Sequence, residues 1–146
     1  MAWFPRGKVV VPIDFSQASQ PAVEAAREMV ANPADLHVLH VLVPLDYVHP
    51  GAITPAFDEK ERLETTRRHL VEFLAKAGLG DAQAVVRLGE PGLDITDYAA
   101  EIHADLIVIP SHGYHGMKRF LLGSTAERVI RHATCPVLVL RRPDAD

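Results

Sequence analysis

Five short runs of apolar, mostly β-branched residues punctuate the chain: Lys8 to Ile13, Leu36 to Val43, Gln83 to Leu88, Asp105 to Ile109 and Pro136 to Leu140. Each reads as a strand. Val9-Val10-Val11, Leu106 to Ile109 and Val137 to Leu140 are apolar without alternation, the pattern of parallel strands covered on both faces. Between them the apolar spacing turns helical. The first helix is expected over Ser19 to Val30, with Ala22, Ala25, Ala26 and Met29 on one face. Pro21 belongs in a first turn, which makes Ser19 a better N-cap than Ser16. The second begins at Asp58, with Glu61 at capping-box spacing. It carries Leu63, Leu70, Phe73, Leu74 and Ala77 on one stripe and stops at Gly78. The third runs from Pro91 to His103, with Asp94 early, where the helix dipole favours negative charge. In the fourth, Ser124 and Glu127 again stand at capping-box spacing, and Val129, Ile130 and Ala133 form the inner face.

Strand and helix therefore alternate to a final strand. This order implies right-handed crossovers and an α/β fold: a doubly wound, Rossmann-like open sheet of five mainly parallel strands, order 3-2-1-4-5, with helices on both faces. Ligands of such sheets bind beyond the carboxyl ends of the strands, where the winding reverses. That directs attention to Asp14, Phe15 and Ser16 after the first strand and to Pro110 through Ser124 after the fourth. The stretch from Pro44 to Phe57, with three prolines and a glycine, is expected to be a long loop at the same edge, placed to act as a lid.

Length and charge narrow the picture. The 146 residues fit one domain, 1–146, long enough to bury a core without disulfide or metal. Lys and Arg total 15 against 19 Asp and Glu, and the basic runs, among them Arg67-Arg68 and Arg141-Arg142, never exceed a dipeptide. Nucleic acid, which needs a concentrated positive face, is not an expected partner. Cys135 is the sole cysteine, so no intrachain disulfide can form. Neither a signal sequence nor a membrane span is recognisable, and a cytoplasmic location is expected.

The segment from Pro110 to Ser124 carries the candidate chemistry. Gly113, Gly116 and Gly123 would let the backbone approach a ligand, and free amides at the start of the last helix, with the Ser124 hydroxyl, suit a phosphate. Lys118 and Arg119 could add positive charge. Glycine spacing alone fits an ordinary surface loop with a serine cap better. It is not a Walker loop, since no Lys-Ser/Thr pair follows the glycines.

The same segment resembles the nucleotide loop of the universal stress protein family, which reads glycine, two residues, glycine, nine residues, glycine, then serine or threonine. Gly113, nine residues, Gly123 and Ser124 match the last three elements, whereas Pro110 occupies the place of the first glycine. Val11 to Ser16, His40-Val41, Gly89-Glu90-Pro91 and Ala133 to Val139 are similar to further family segments, in order. The resemblance implies ATP, or AMP or ADP, as ligand, accompanied by Mg²⁺. It puts Asp14 at the ribose and adenine. Ile13, Asp14 and Val41 would offer backbone contacts to the base, Gly113, Gly123, Ser124 and Thr125 would face the phosphates through amides and hydroxyls, and Pro12 is counted among the nucleotide-binding residues. Pro110 cannot donate an amide hydrogen, though a carbonyl or van der Waals contact to the ribose survives. The resemblance also implies a homodimer through Val137, Leu138, Val139 and Leu140, whose apolar edge calls for a partner.

Other chemistries fit less well. His112 and His115 lack a third organised ligand for zinc. Cys135 before Pro136 reads as a small core residue. Asp14, Ser16 and the histidines lack the glycine-flanked elbow of a hydrolase serine. No general base stands beside the loop, so a slow ATPase at most is expected. The alternatives are a nucleotide-free dimeric protein that docks to other proteins, and a true phosphoryl-transfer enzyme.

Overall fold

The computed structural model describes residues 2–45, 56–111 and 122–141. Five strands form one parallel sheet: β1 (Val9–Pro12), β2 (Leu36–Leu42), β3 (Gln83–Leu88), β4 (Leu106–Pro110) and β5 (Val137–Leu140), in the order β3-β2-β1-β4-β5. Four helices connect them: α1 (Ser19–Arg27), α2 (Ala56–Lys76), α3 (Pro91–Glu101) and α4 (Ser124–His132). Single helical turns aside, this is the expected doubly wound sheet.

The continuous apolar runs are explained by two cores, one on each face. Val9, Val11, Val38 and Val108 pack with Ala22, Val23 and Ala26 of α1 and Leu70 and Leu74 of α2. Val10, Leu39, Ile107 and Ile109 pack on the other face with Ile95 and Ala99 of α3 and Ala126 and Val129 of α4. Neighbouring residues of one strand thus enter opposite cores, and a polar residue fits on neither side of β1 or β4. Cys135 packs half-buried against the second core, where burial and then the nearby Asp105 carboxylate hold its thiol pKa up.

Helix boundaries differ from the expected ones. α1 ends at Arg27, and Val30 instead forms an isolated parallel bridge with Arg6. α3 ends at Glu101. Ala18, not Ser19, is the N-cap of α1, and Gly123, not Ser124, that of α4. Ser19 and Ser124 are both first helical residues. α2 begins at Ala56, so position 58 lies inside it and no capping box starts there. In α4 the inner face is Ala126 and Val129, while Ile130 is 45% exposed. Leu122, which with Met117, Phe120 and Leu121 forms an apolar cluster whose sequence suggests a core anchor for the loop, is 47% exposed. Met117, Phe120 and Leu121 lie outside the described residues, as does most of the expected lid (46–55).

Candidate functional site

The winding reverses at β1, whose neighbours β2 and β4 run on to opposite edges. The two ladders differ in length. β1 pairs with β2 over four residues, Val9 to Pro12, but with β4 only through Val9↔Leu106 and Val10↔Ile107. Two prolines account for the difference. Alternation turns positions 12 and 110 toward one another across this gap. The next ladder bonds would need an amide hydrogen at position 12 for the Val108 carbonyl and one at position 110 for the Pro12 carbonyl. Neither proline has one. The sheet therefore opens between β1 and β4 at its carboxyl end, with a rim of carbonyl acceptors.

On the β1 side, the chain leaves the sheet through Ile13, Asp14 and Phe15. The Ile13 amide continues the β1–β2 ladder to the Leu39 carbonyl at 2.8 Å. Its carbonyl accepts a 2.7 Å hydrogen bond from Nδ1 of His40, which fixes that ring nitrogen as the donor. Asp14 is half-buried and turned back over the start of α1: its Oδ1 accepts from the Ser16 amide at 2.9 Å and from the Ser19 hydroxyl at 3.3 Å. The Ser16 hydroxyl in turn accepts from the Ala18 amide at 3.3 Å. Ser19, 1% exposed, thus orients the carboxylate instead of capping the helix.

Phe15 sits at φ +62°, a left-handed conformation that a bulky residue holds only when its surroundings enforce it. The enforcing contacts are aromatic. Its ring stacks on His69 of α2 at 4.5 Å, leans on His40 at 4.8 Å and meets Phe73 edge-on at 6.0 Å. Burial lowers the His40 pKa; the Ile13 bond and Asp14 oppose the shift, and His69 adds to it. The ring is accordingly neutral at neutral pH, with its hydrogen on Nδ1.

On the β4 side, Pro110 ends its strand opposite Leu140 of β5. The buried Ser111 donates its amide to the Leu140 carbonyl at 2.8 Å, and its carbonyl accepts the Gly123 amide at 2.7 Å. The ends of the loop are thereby pinned together, and α4 starts beside the end of β4. This corrects one expectation: the Gly123 amide is committed within the chain and does not face a ligand. The first-turn donors that remain are the amides of Ser124, Thr125 and Ala126, which a helix cannot satisfy internally. Among the described residues no side chain caps them. Gly113, Gly116, His112, His115, Lys118 and Arg119 lie outside the described residues.

Pro12, Ile13, Asp14, Val41, Pro110, Gly123, Ser124 and Thr125 are thus at or next to the carboxyl ends of β1, β2 and β4, although Gly123 and Ile13 have spent their amides. Sequence reasoning pointed to Phe15 by its place after β1 but missed His40, Ser19 and His69 as parts of the site. The signal for His40 was present: it and His37 are the polar residues that interrupt an otherwise apolar strand. A side chain of that kind needs a partner, and His37 finds one in the Tyr98 hydroxyl at 2.7 Å. Among the described residues no group of three or more His, Cys, Asp or Glu is arranged to hold a metal ion.

The sequence profile of the Universal stress protein family matches residues 5–141. The chain belongs to the universal stress protein family. The universal stress protein YxiE of Bacillus subtilis is 33% identical over 147 aligned positions, covering 92% of this chain and 98% of its own length. The solved structure of hypothetical protein MJ0577 superposes with a TM-score of 0.73 at 25% identity, covering 97% of this chain and 99% of that one. A universal stress protein from Archaeoglobus fulgidus, solved in complex with dAMP, superposes with a TM-score of 0.58 at 29% identity, covering 95% and 98%. Likeness along nearly the whole chain accords with a universal stress protein sheet whose strand order is the one described above. Among the described residues no helix is long and apolar enough to cross a membrane.

Proposed function

We propose that this universal stress protein binds ATP in the crevice between β1 and β4, as a regulatory or structural ligand. The observation that carries the reading is the opening made by Pro12 and Pro110. An oriented carboxylate, Asp14, stands on one side of it and the uncapped first turn of α4 on the other. A ribose presents hydroxyl donors, which suit carboxylate and carbonyl acceptors. A polyphosphate suits the Ser124, Thr125 and Ala126 amides at a helix N-terminus, with the hydroxyls of Ser124 and Thr125 beside them. The Archaeoglobus relative in complex with dAMP supports an adenine nucleotide. Among the described residues Asp14 is the one carboxylate at this crevice, a meagre ligand set. Mg²⁺ would therefore arrive with the triphosphate and keep most of its waters, as that ion prefers.

Equilibrium dialysis with labelled ATP tests the reading. Asp14→Ala should weaken binding about tenfold or more, the loss of a hydrogen bond to a charged group, about 1.5–3 kcal/mol. Negligible binding by the unaltered protein would defeat the proposal. It would favour the nucleotide-free interaction protein instead, a reading for which the missing donor at Pro110 is the specific support. The dimer belongs to the same proposal. β5 is an edge strand with all four residues half-buried, and antiparallel pairing of two copies would cover it under twofold symmetry. Val139→Lys should give a monomer by light scattering; an unchanged dimer would refute this surface.

A further inference from the structure

The β1–β2 ladder ends in an unusual way. After Ile13 donates to Leu39, the next bond of a parallel ladder would run from the Val41 amide to the Ile13 carbonyl. That bond is not made. The Ile13 carbonyl accepts the His40 ring instead, at 2.7 Å. Val41 cannot turn its amide to β3, because Leu42 is the residue facing that way: its carbonyl accepts the Gly89 amide at 2.8 Å. Among the described residues the Val41 amide therefore has no hydrogen-bond partner, although Val41 is only 8% exposed. A buried amide left so is an exception that calls for a ligand or water. It points to the β1 side, toward Ile13, just past the carboxyl end of that strand.

We propose that His40 is a positioning residue for base recognition: by capping the Ile13 carbonyl it ends the ladder one bond early and holds the Val41 amide open for a ring-nitrogen acceptor of a purine. The inference rests on the nucleotide reading above and adds a residue that fixes selectivity. An adenine ring offers an unprotonated N1 to such a donor; a hypoxanthine ring carries a hydrogen at N1 and opposes it. The His40 ring leans on Phe15, which is itself stacked with His69. The neutral ring donates from Nδ1, and the charged ring would donate from the same atom, so the cap does not depend on protonation.

The test uses the full chain labelled with ¹⁵N and ¹³C, with ATP and ITP as probes. In the unliganded protein no through-bond coupling from the Val41 nitrogen to the Ile13 carbonyl carbon is expected; its presence would overturn the proposal without any variant. His40→Leu, which fills the space without a donor, should let the ladder close. The Val41 amide should then exchange at least tenfold more slowly, and the ATP preference over ITP should fall at least fivefold. His40→Asn, which restores a donor near the Nδ1 position, should recover both. A merely structural histidine would lower both affinities together and leave their ratio alone, and that result would overturn the role of His40. Failure of the unaltered protein to bind either nucleotide would overturn the nucleotide reading, and the base contact with it, whatever the Val41 amide does.

Discussion

His40 gains a carbonyl partner and still has its pKa pushed below the ordinary value of 6.5, because burial outweighs that bond. His37 is lowered as well, by burial first and then by Lys8, with Asp35 opposing. Both rings bind a proton more readily in the unfolded chain. The unfolded state therefore holds more protons between the folded and unfolded values, and stability rises with pH through that window. The contribution is complete above about pH 6.5 and is lost as pH falls through the lower folded-state values. Urea unfolding should show a lower midpoint at pH 5.5 than at pH 7.5, and His40→Asn should reduce that difference. An equal difference in both proteins would show that His40 does not carry it. Phe15 belongs to the same cluster. Its left-handed backbone is held by three aromatic neighbours drawn from two elements, so the geometry after Asp14 depends on α2 as much as on the β1 turn.

At the scale of elements, α3 and α4 meet closely where Gly92 lies buried in the first turn of α3. A Cβ at that position would come within 2.7 Å of the Arg128 Cβ. Gly92→Ala should push α4 away and destabilise the fold by about 1–3 kcal/mol, the usual cost of overpacking. Because the N-terminus of α4 is part of the proposed phosphate site, ATP affinity should fall as well. Chemical denaturation checks the first effect, and a variant as stable as the parent would show that the helices give way freely. The Glu90–Arg128 ion pair ties the same two elements together at the surface. The caps show why boundaries are hard to read from sequence. A serine with glutamate three residues on marks a helix start but not which residue stays outside the helix. At α4 the bond from the Gly123 amide to Ser111 settles it, a contact across a loop. At α1 the Asp14 carboxylate claims the Ser19 hydroxyl, and the cap passes to Ala18.

For the whole molecule, the strand order follows from alternation and apolar runs, since a doubly wound sheet leaves few other arrangements. Val9 to Val11 and Leu106 to Ile109 announce strands covered on both faces, and they lie at the centre of two cores. The place of the candidate site was legible for the same reason: Asp14 follows shortly after, and Pro110 ends, the two strands at which the winding reverses. What the sequence concealed are pairings between distant residues. The prolines at 12 and 110 are far apart in the chain and matter because they face each other across one gap. His40 matters because its ring takes a carbonyl that the next amide would otherwise take.

The central claim is that an adenine nucleotide occupies the gap between β1 and β4. Titrating the ¹⁵N-labelled protein with ATP and following every backbone amide tests it most directly. Saturable shifts should concentrate at residues 13–19, at Val41 and at Ser124, Thr125 and Ala126, with the β3 edge unmoved. Shifts confined to other surfaces, or none at saturating nucleotide, would contradict it.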